Sequence, residues 1–166
     1  MGKKASYWVR KGKKFEDKIA KVIHNILWER YEDYREAVKQ FPKLKVQRDR
    51  DSGNRPDSIG DIETYFSWFP YSIECKHHKD LNFSVSSILQ GKVESLLKIF
   101  RKHEEYARER GKLPLLVFRA NRTIDMVMTY KDSITLPNTY IILCNRYVIM
   151  SFDDFIKNNP LRMEVK

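Results

Sequence analysis

The run Ile73-Glu74-Cys75-Lys76, together with Asp61 upstream, supplies two carboxylates and an ammonium that can act on one phosphate. Two carboxylates hold a divalent ion, and a neighbouring lysine orients a water for attack, so the chemistry indicated is metal-assisted phosphodiester hydrolysis. Tyr71 to Cys75 is rich in aromatic and β-branched strand formers, Ile59 to Phe66 is a second such run, and Ser67-Trp68-Phe69-Pro70 between them reads as a turn. A hairpin centred between Ser67 and Trp68 sets Asp61 opposite Glu74, with Cβ atoms roughly 5 Å apart, close enough to share an ion. Strand alternation sends Glu74 and Lys76 to one face and Cys75 to the other. Carboxylate oxygens and water suit Mg²⁺ better than zinc.

From Phe15 to Arg119 the chain resembles the PD-(D/E)XK nucleases, and within them the Holliday-junction resolvases of archaeal and phage type. Four blocks in order carry the resemblance: Phe15-Glu16, Arg48-Asp49-Arg50-Asp51-Ser52-Gly53, Gly60-Asp61-Ile62-Glu63 and Ile73-Glu74-Cys75-Lys76. The acid-x-lysine element alone is unspecific, and the order of all four is much more specific. The resemblance implies that Asp61 and Glu74 are metal ligands, that the Cys75 carbonyl is a further ligand and that Lys76 orients or activates the attacking water. It also implies that Glu16 completes the metal site and that Ser52 lies in a loop near the scissile strand. Pro56-Asp57 is a literal Pro-Asp pair that competes with Asp61 for the first acid. Setting Asp57 opposite Glu74 would centre the turn at Tyr65-Phe66, inside a strand-like run, so Asp61 is preferred. The implied cofactor is Mg²⁺, with Mn²⁺ able to substitute. The implied partner is branched double-stranded DNA, cut by a homodimer, because a four-way junction needs symmetric nicks on two strands.

A formal charge of +10 in 166 residues points to a polyanionic partner, a trait shared with ribosomal and membrane-surface proteins. Lys3, Lys4, Arg10, Lys11, Lys13 and Lys14 form a basic arm over residues 1–14, interleaved with Tyr7 and Trp8, ahead of a single nuclease domain over 15–166. Such an arm is either a DNA contact or a solvated tail. A second cluster, Lys43, Lys45, Arg48 and Arg50, runs into the Asp51-Ser52-Gly53 loop. The DNA-binding candidates are Lys11, Lys13, Lys14, Arg48, Arg50, Arg55, Lys79 and Gln90, the last being equally readable as a surface glutamine. Trp68, Phe69 and Tyr71 are candidate exposed aromatics for a dimer surface.

The length fits one domain with a real core at 42% hydrophobic content. Neither a spanning apolar run nor a signal peptide is present, so the expectation is a cytoplasmic protein, in the host-cell cytoplasm if viral. Cys75 and Cys144 lack CxxC neighbours, which disfavours disulfides and thiolate zinc. Glycine-rich phosphate loops and nucleophilic-serine signatures are missing, which argues against NTPases, kinases and hydrolases of those types.

The elements that must position these residues follow from periodicity. Phe15, Ile19, Val22, Ile23, Ile26, Leu27, Tyr34 and Val38 predict one long helix from Lys14 to about Gln40, ending before Pro42. Glu16 near its start is either the metal-site acid, with Asp17 as fallback, or a first-turn acid that complements the helix dipole. Lys43 to Arg48 reads as a short strand, followed by a polar loop to Ser58. A second helix is expected from Ser84 to Arg110, closed by Gly111, with Gly91 allowing irregular first turns. Leu113 to Phe118 reads as a buried central strand, making a parallel, right-handed βαβ unit with the acid-x-lysine strand. Further strands are expected at Ile124–Tyr130 and in a hairpin around Asn145-Arg146, followed by a short helix capped by Ser151 with Asp154 three residues on. The fold class is α/β, a restriction-endonuclease-like core with a central mixed β-sheet flanked by helices (α-β-β-β-α-β) and a C-terminal β-rich extension. His78 shares the parity of Glu74 and Lys76 whereas His77 does not, and His24 and His103 lie on helices with no partner in view. The rival readings are a restriction or repair nuclease on the same fold, and a non-catalytic basic DNA-binding protein.

Overall fold

An apolar stripe, Phe15, Ile19, Ile23 and Leu27, recurs at helical spacing and is almost wholly buried, which makes helix α1, Gly2–Arg30, amphipathic. The computed structural model describes residues 2–49, 60–77, 86–87, 90, 92–119 and 124–162. The chain divides into two compact units, Met1–Pro70 with Leu161–Lys166, and Tyr71–Pro160.

In the first unit the expected single helix is two. It begins at Gly2 rather than Lys14 and breaks at Tyr31, whose φ of −125° and ψ of 112° are extended, before α2, Glu32–Gln40. The cause is Tyr34. Its buried hydroxyl meets His24 Nδ1 at 2.7 Å and accepts the Val46 N–H at 3.1 Å. In a straight helix those ten residues would span about 15 Å, so α2 must fold back for the contact to form. Arg35 then donates to the Trp28 carbonyl at 2.9 Å and the Glu29 carbonyl at 3.3 Å, capping carbonyls that the break leaves open. The strand expected over 43–48 is a 3-10 turn, Pro42–Leu44, followed by only β1, Gln47–Arg48.

The hairpin expected between 59–66 and 71–75 does not form. The first run contributes β2, Ile62–Glu63, which pairs antiparallel with β1, while β3, Tyr71–His77, pairs parallel with β4, Leu113–Arg119. The turn itself exists, with the Phe69 N–H bonded to the Phe66 carbonyl at 3.0 Å, but its flanking segments ladder elsewhere. Ile62 is buried like Val46, and β3 is shielded on both faces from Tyr71 to Ile73. Burying a side chain of that size is worth about 1.5–3 kcal/mol, more than a local hairpin offers. Phe69 and Tyr71, expected at the surface, are core residues at 0% and 4% exposure.

The second unit is a mixed sheet in the order β3-β4-β5-β7-β6, with β5 at Met126–Tyr130, β6 at Ile141–Leu143 and β7 at Tyr147–Ser151. The β3–β4 pairing is parallel, as the βαβ reading requires, and the other three are antiparallel. The C-terminal strands therefore complete the central sheet. Helix α3, Glu94–Glu109, starts ten residues later than expected, after a helical turn at Ser86–Ser87. It ends as expected, with Gly111 at φ +63° and the Lys112 N–H returning to the Ala107 carbonyl at 3.0 Å. Val93, Leu96 and Phe100 pack with Leu116, Phe118, Met128 and Ile149 on one face of the sheet. Helix α4, Phe152–Asn158, covers the other face, where Phe155 meets Tyr71 edge-on at 5.4 Å. Ser151 caps it by accepting the Asp154 N–H at 3.0 Å. The β6–β7 turn carries Cys144 and Asn145 at positive φ, as a type I′ turn demands. Among the described residues no helix is long and apolar enough to cross a membrane.

Burial, and then the charge of Lys45, hold the His24 imidazole below its ordinary 6.5. The unfolded chain therefore takes up a proton first as pH falls, and stability should drop below about pH 6.5 until the depressed folded value is passed. Thermal melts from pH 8 to pH 5 should show this loss, and His24→Leu should remove that component of it.

Candidate active site

The β3 strand is built so that alternate residues do different work. Tyr71, Ile73 and Cys75 are buried toward α4, with Cys75 at 4% exposure, as a small core residue should be. Glu74 and Lys76 occupy the other face, in register with Leu116 and Phe118 of β4, which lie under α3. Since β3 is an edge strand, the apolar cover thins there, and the Glu74 and Lys76 side chains are 23% and 36% exposed. They form an ion pair with each other. The ammonium is thus held beside the carboxylate that it would serve, and both are open to a ligand.

The strand is fixed from α3. His103, at 5% exposure, donates from Nε2 to the Ser72 carbonyl at 2.8 Å, two residues before Glu74. His103 and His24 both have partners, contrary to expectation. The signal was legible for His103, which continues the buried stripe Leu96, Phe100, His103, Ala107 along the helix.

In the first unit, Gly60 adopts φ +119°, a conformation that side chains disfavour, immediately before Asp61. Asp61 is 8% exposed, and its carbonyl accepts the Asp49 N–H at 2.8 Å. Asp49 lies opposite it in the β1–β2 ladder and is 2% exposed, a second buried acid that sequence reasoning gave no role. Glu16 and Asp17 on α1 both meet Arg48, at 3.8 Å and 3.1 Å from its Nε. Arg48 thus balances the helix acids. Lys13 and Lys14 are exposed, Lys11 is half-buried, and the Gln90 amide bonds Ser86 Oγ at 3.2 Å. Arg50, Ser52, Arg55, Asp57, His78 and Lys79 lie outside the described residues. Among those described, no three His, Cys, Asp or Glu side chains are grouped to hold an ion. The groups expected from the sequence as ligands, carboxylates and a carbonyl, would offer hard oxygens of the kind that Mg²⁺ takes.

The family model described as "Phage putative PDDEXK endonuclease" matches residues 8–160. No curated protein matches the sequence significantly. A solved structure of Archaeoglobus fulgidus Hjc, a Holliday junction resolvase from an archaeal hyperthermophile, matches at 15% identity over 76% of this chain and 90% of that one. Its TM-score is 0.30, too low an overlap to place any residue here.

His103→Leu should leave the buried Ser72 carbonyl without this donor and lower the unfolding free energy by about 1–3 kcal/mol. His103→Gln, whose amide nitrogen stands near the place of Nε2, should recover most of that loss, as urea titration of the three proteins would read.

Proposed function

Because the chain belongs to the phage PDDEXK endonuclease family and is a nuclease of that kind, we propose that it cuts branched double-stranded DNA, resolving four-way junctions as a homodimer. The observation that supports a catalytic rather than a merely DNA-binding role is the Glu74–Lys76 ion pair on the half-open face of an edge strand. An ion pair placed there only for stability contributes little, about 0–1 kcal/mol.

Glu74, the Cys75 carbonyl and Asp61 are proposed as Mg²⁺ ligands, with Glu16 completing the set and Mn²⁺ able to substitute; Asp61 and Glu16 take this role from their motifs. When bound, the ion supplies charge to the phosphoryl oxygens and acidifies a coordinated water. Lys76 donates an N–H to the attacking water, holds it in line with the scissile bond and adds positive charge where the transition state gains negative charge. Ser52 is proposed beside the scissile strand. Lys11, Lys13, Lys14, Arg50, Arg55, Lys79 and Gln90 are proposed to contact the DNA, as is Arg48 should it exchange its acids for a phosphate.

Lys76→Ala should keep DNA binding and lose roughly a hundredfold to a thousandfold in single-turnover rate. Lys76→Arg should not restore the rate, because a planar guanidinium does not replace a compact ammonium. Near-normal cleavage by Lys76→Ala would remove β3 as the catalytic strand.

Substrate class is a separate question. With Mg²⁺, a four-way junction should be nicked symmetrically on two strands while linear duplexes of varied sequence survive. Discrimination among linear duplexes instead would identify a restriction-type enzyme.

A further inference from the structure

Helix α1 carries a second stripe opposite its apolar one. Arg10, Lys14, Lys18 and Lys21 follow the spacing that returns a helix to the same side. At 3.6 residues per turn they lie within about 40° of one line, turned away from the buried Phe15, Ile19, Ile23 and Leu27. All four are exposed, and Arg10, Lys14 and Lys21 make no ion pair among the described residues. The acids between residues 10 and 25 are Glu16 and Asp17, and Arg48 meets both, at 3.8 Å and 3.1 Å. Arg10, Lys14 and Lys21 are thus left uncompensated.

We propose that this row is a docking surface for the phosphate backbone of a duplex arm of the substrate, adding Arg10, Lys18 and Lys21 to Lys14; the assignment rests on the DNA-nuclease reading above. From Arg10 to Lys21 the row runs about 16 Å at the helical rise. Duplex DNA presents a negative charge for about every 1.7 Å of its axis, so sign and length both fit. Like charges four residues apart weaken a helix, so a line of cations with no acid among them is a poor device for stability alone. A polyanion laid along it relieves that repulsion. An anionic membrane is a worse match, because a helix on a lipid surface inserts its apolar face, and here that face is buried in the protein. Contacts to phosphate hold DNA without reading its bases, as a structure-selective enzyme requires. By helical position Glu16 stands on the far side of α1 from the row, so DNA held there is engaged away from the scissile phosphate.

The test is the salt dependence of affinity for a four-way junction, measured in Ca²⁺. The row variant is Arg10→Gln with Lys21→Gln. The control is Lys98→Gln with Lys102→Gln, two residues as exposed and as unpaired among the described residues but carried on α3. Each double variant loses two charges from the wild-type +10, so a general loss of positive field is common to both. All substitutions are at exposed positions, and circular dichroism confirms folding before each titration. The row variant should bind more weakly, with log affinity against log salt shallower by about 1.8, the share of two phosphates, while the control keeps the wild-type slope. At saturating protein with Mg²⁺, single-turnover cleavage by the row variant should match wild type, because the lost contacts lie away from the cut. A folded row variant with the wild-type slope overturns the proposal, and so does an equal fall in row variant and control. A saturated rate below wild type overturns the assignment to an arm away from the cut. If the slope falls as expected but the wild-type protein cuts neither the junction nor a linear duplex with Mg²⁺, the contact stands and the nuclease reading fails. If the wild type cuts and the slope is unchanged, the contact alone fails.

Discussion

The parallel pairing of β3 with β4 is the constraint from which the rest of the larger unit follows. Parallel neighbours cannot be joined by a tight turn and need a crossover of a dozen or more residues, which the chain fills with α3. A parallel pair also buries both faces, and β4 is accordingly buried from Pro114 to Phe118. One face therefore needs α3 and the other needs α4. The cover is complete over β4 and incomplete at the edge strand, where β3 changes from fully buried at Tyr71–Ile73 to half-buried at Glu74, Lys76 and His77. Glu74 and Lys76 stand where the apolar cover runs out.

Two consecutive residues fix how α3 sits on that sheet. His103 reaches the Ser72 carbonyl on β3, while Glu104 reaches the opposite flank, accepting from Tyr130 Oη at 2.6 Å, Arg146 at 2.5 Å and Tyr147 Oη at 3.2 Å. Burial, then the Glu104 carboxylate that its hydroxyl meets, push the Tyr130 phenol up to about 12. That hydroxyl accordingly stays a donor through the physiological range. The apolar stripe Val93, Leu96, Phe100 and Ala107 supplies most of the attraction, at roughly 1.5–3 kcal/mol for each large side chain. Hydrophobic contact tolerates rotation about the helix axis, whereas hydrogen bonds on opposite sides do not. Since His103 binds the strand that carries Glu74, the helix orientation and the site are set together.

Much of this was legible in the sequence. Leu113–Phe118 as a buried strand, the βαβ unit, the Gly111 stop, the β6–β7 hairpin and the Ser151 cap all rest on local chemistry that the tertiary structure keeps. The failures share one cause, which is that long-range partners overrode local pattern. Tyr34 reaching back to His24 and Val46 broke a helix whose periodicity runs unbroken past it, and β2 took β1 as its partner, so Asp61 and Glu74 are not cross-strand neighbours. The Glu74–Lys76 face was readable from strand parity alone. The burial of His103 was readable from the helix stripe that it continues, whereas Asp49 was not, because its burial depends on what packs beside it.

The structure also divides the cations into two populations. Arg48 balances Asp17 and Glu16, Arg146 meets Glu104, and Arg162 meets Asp33 at 3.0 Å while its guanidinium lies 5.0 Å from the Trp68 ring. These planar groups are used where fixed geometry and stacking matter. Lys13, Lys14, Lys98 and Lys102 are exposed and carry no ion pair among the described residues. Their charges, unneutralised and on flexible stems, supply a long-range field for a polyanion without specifying its position.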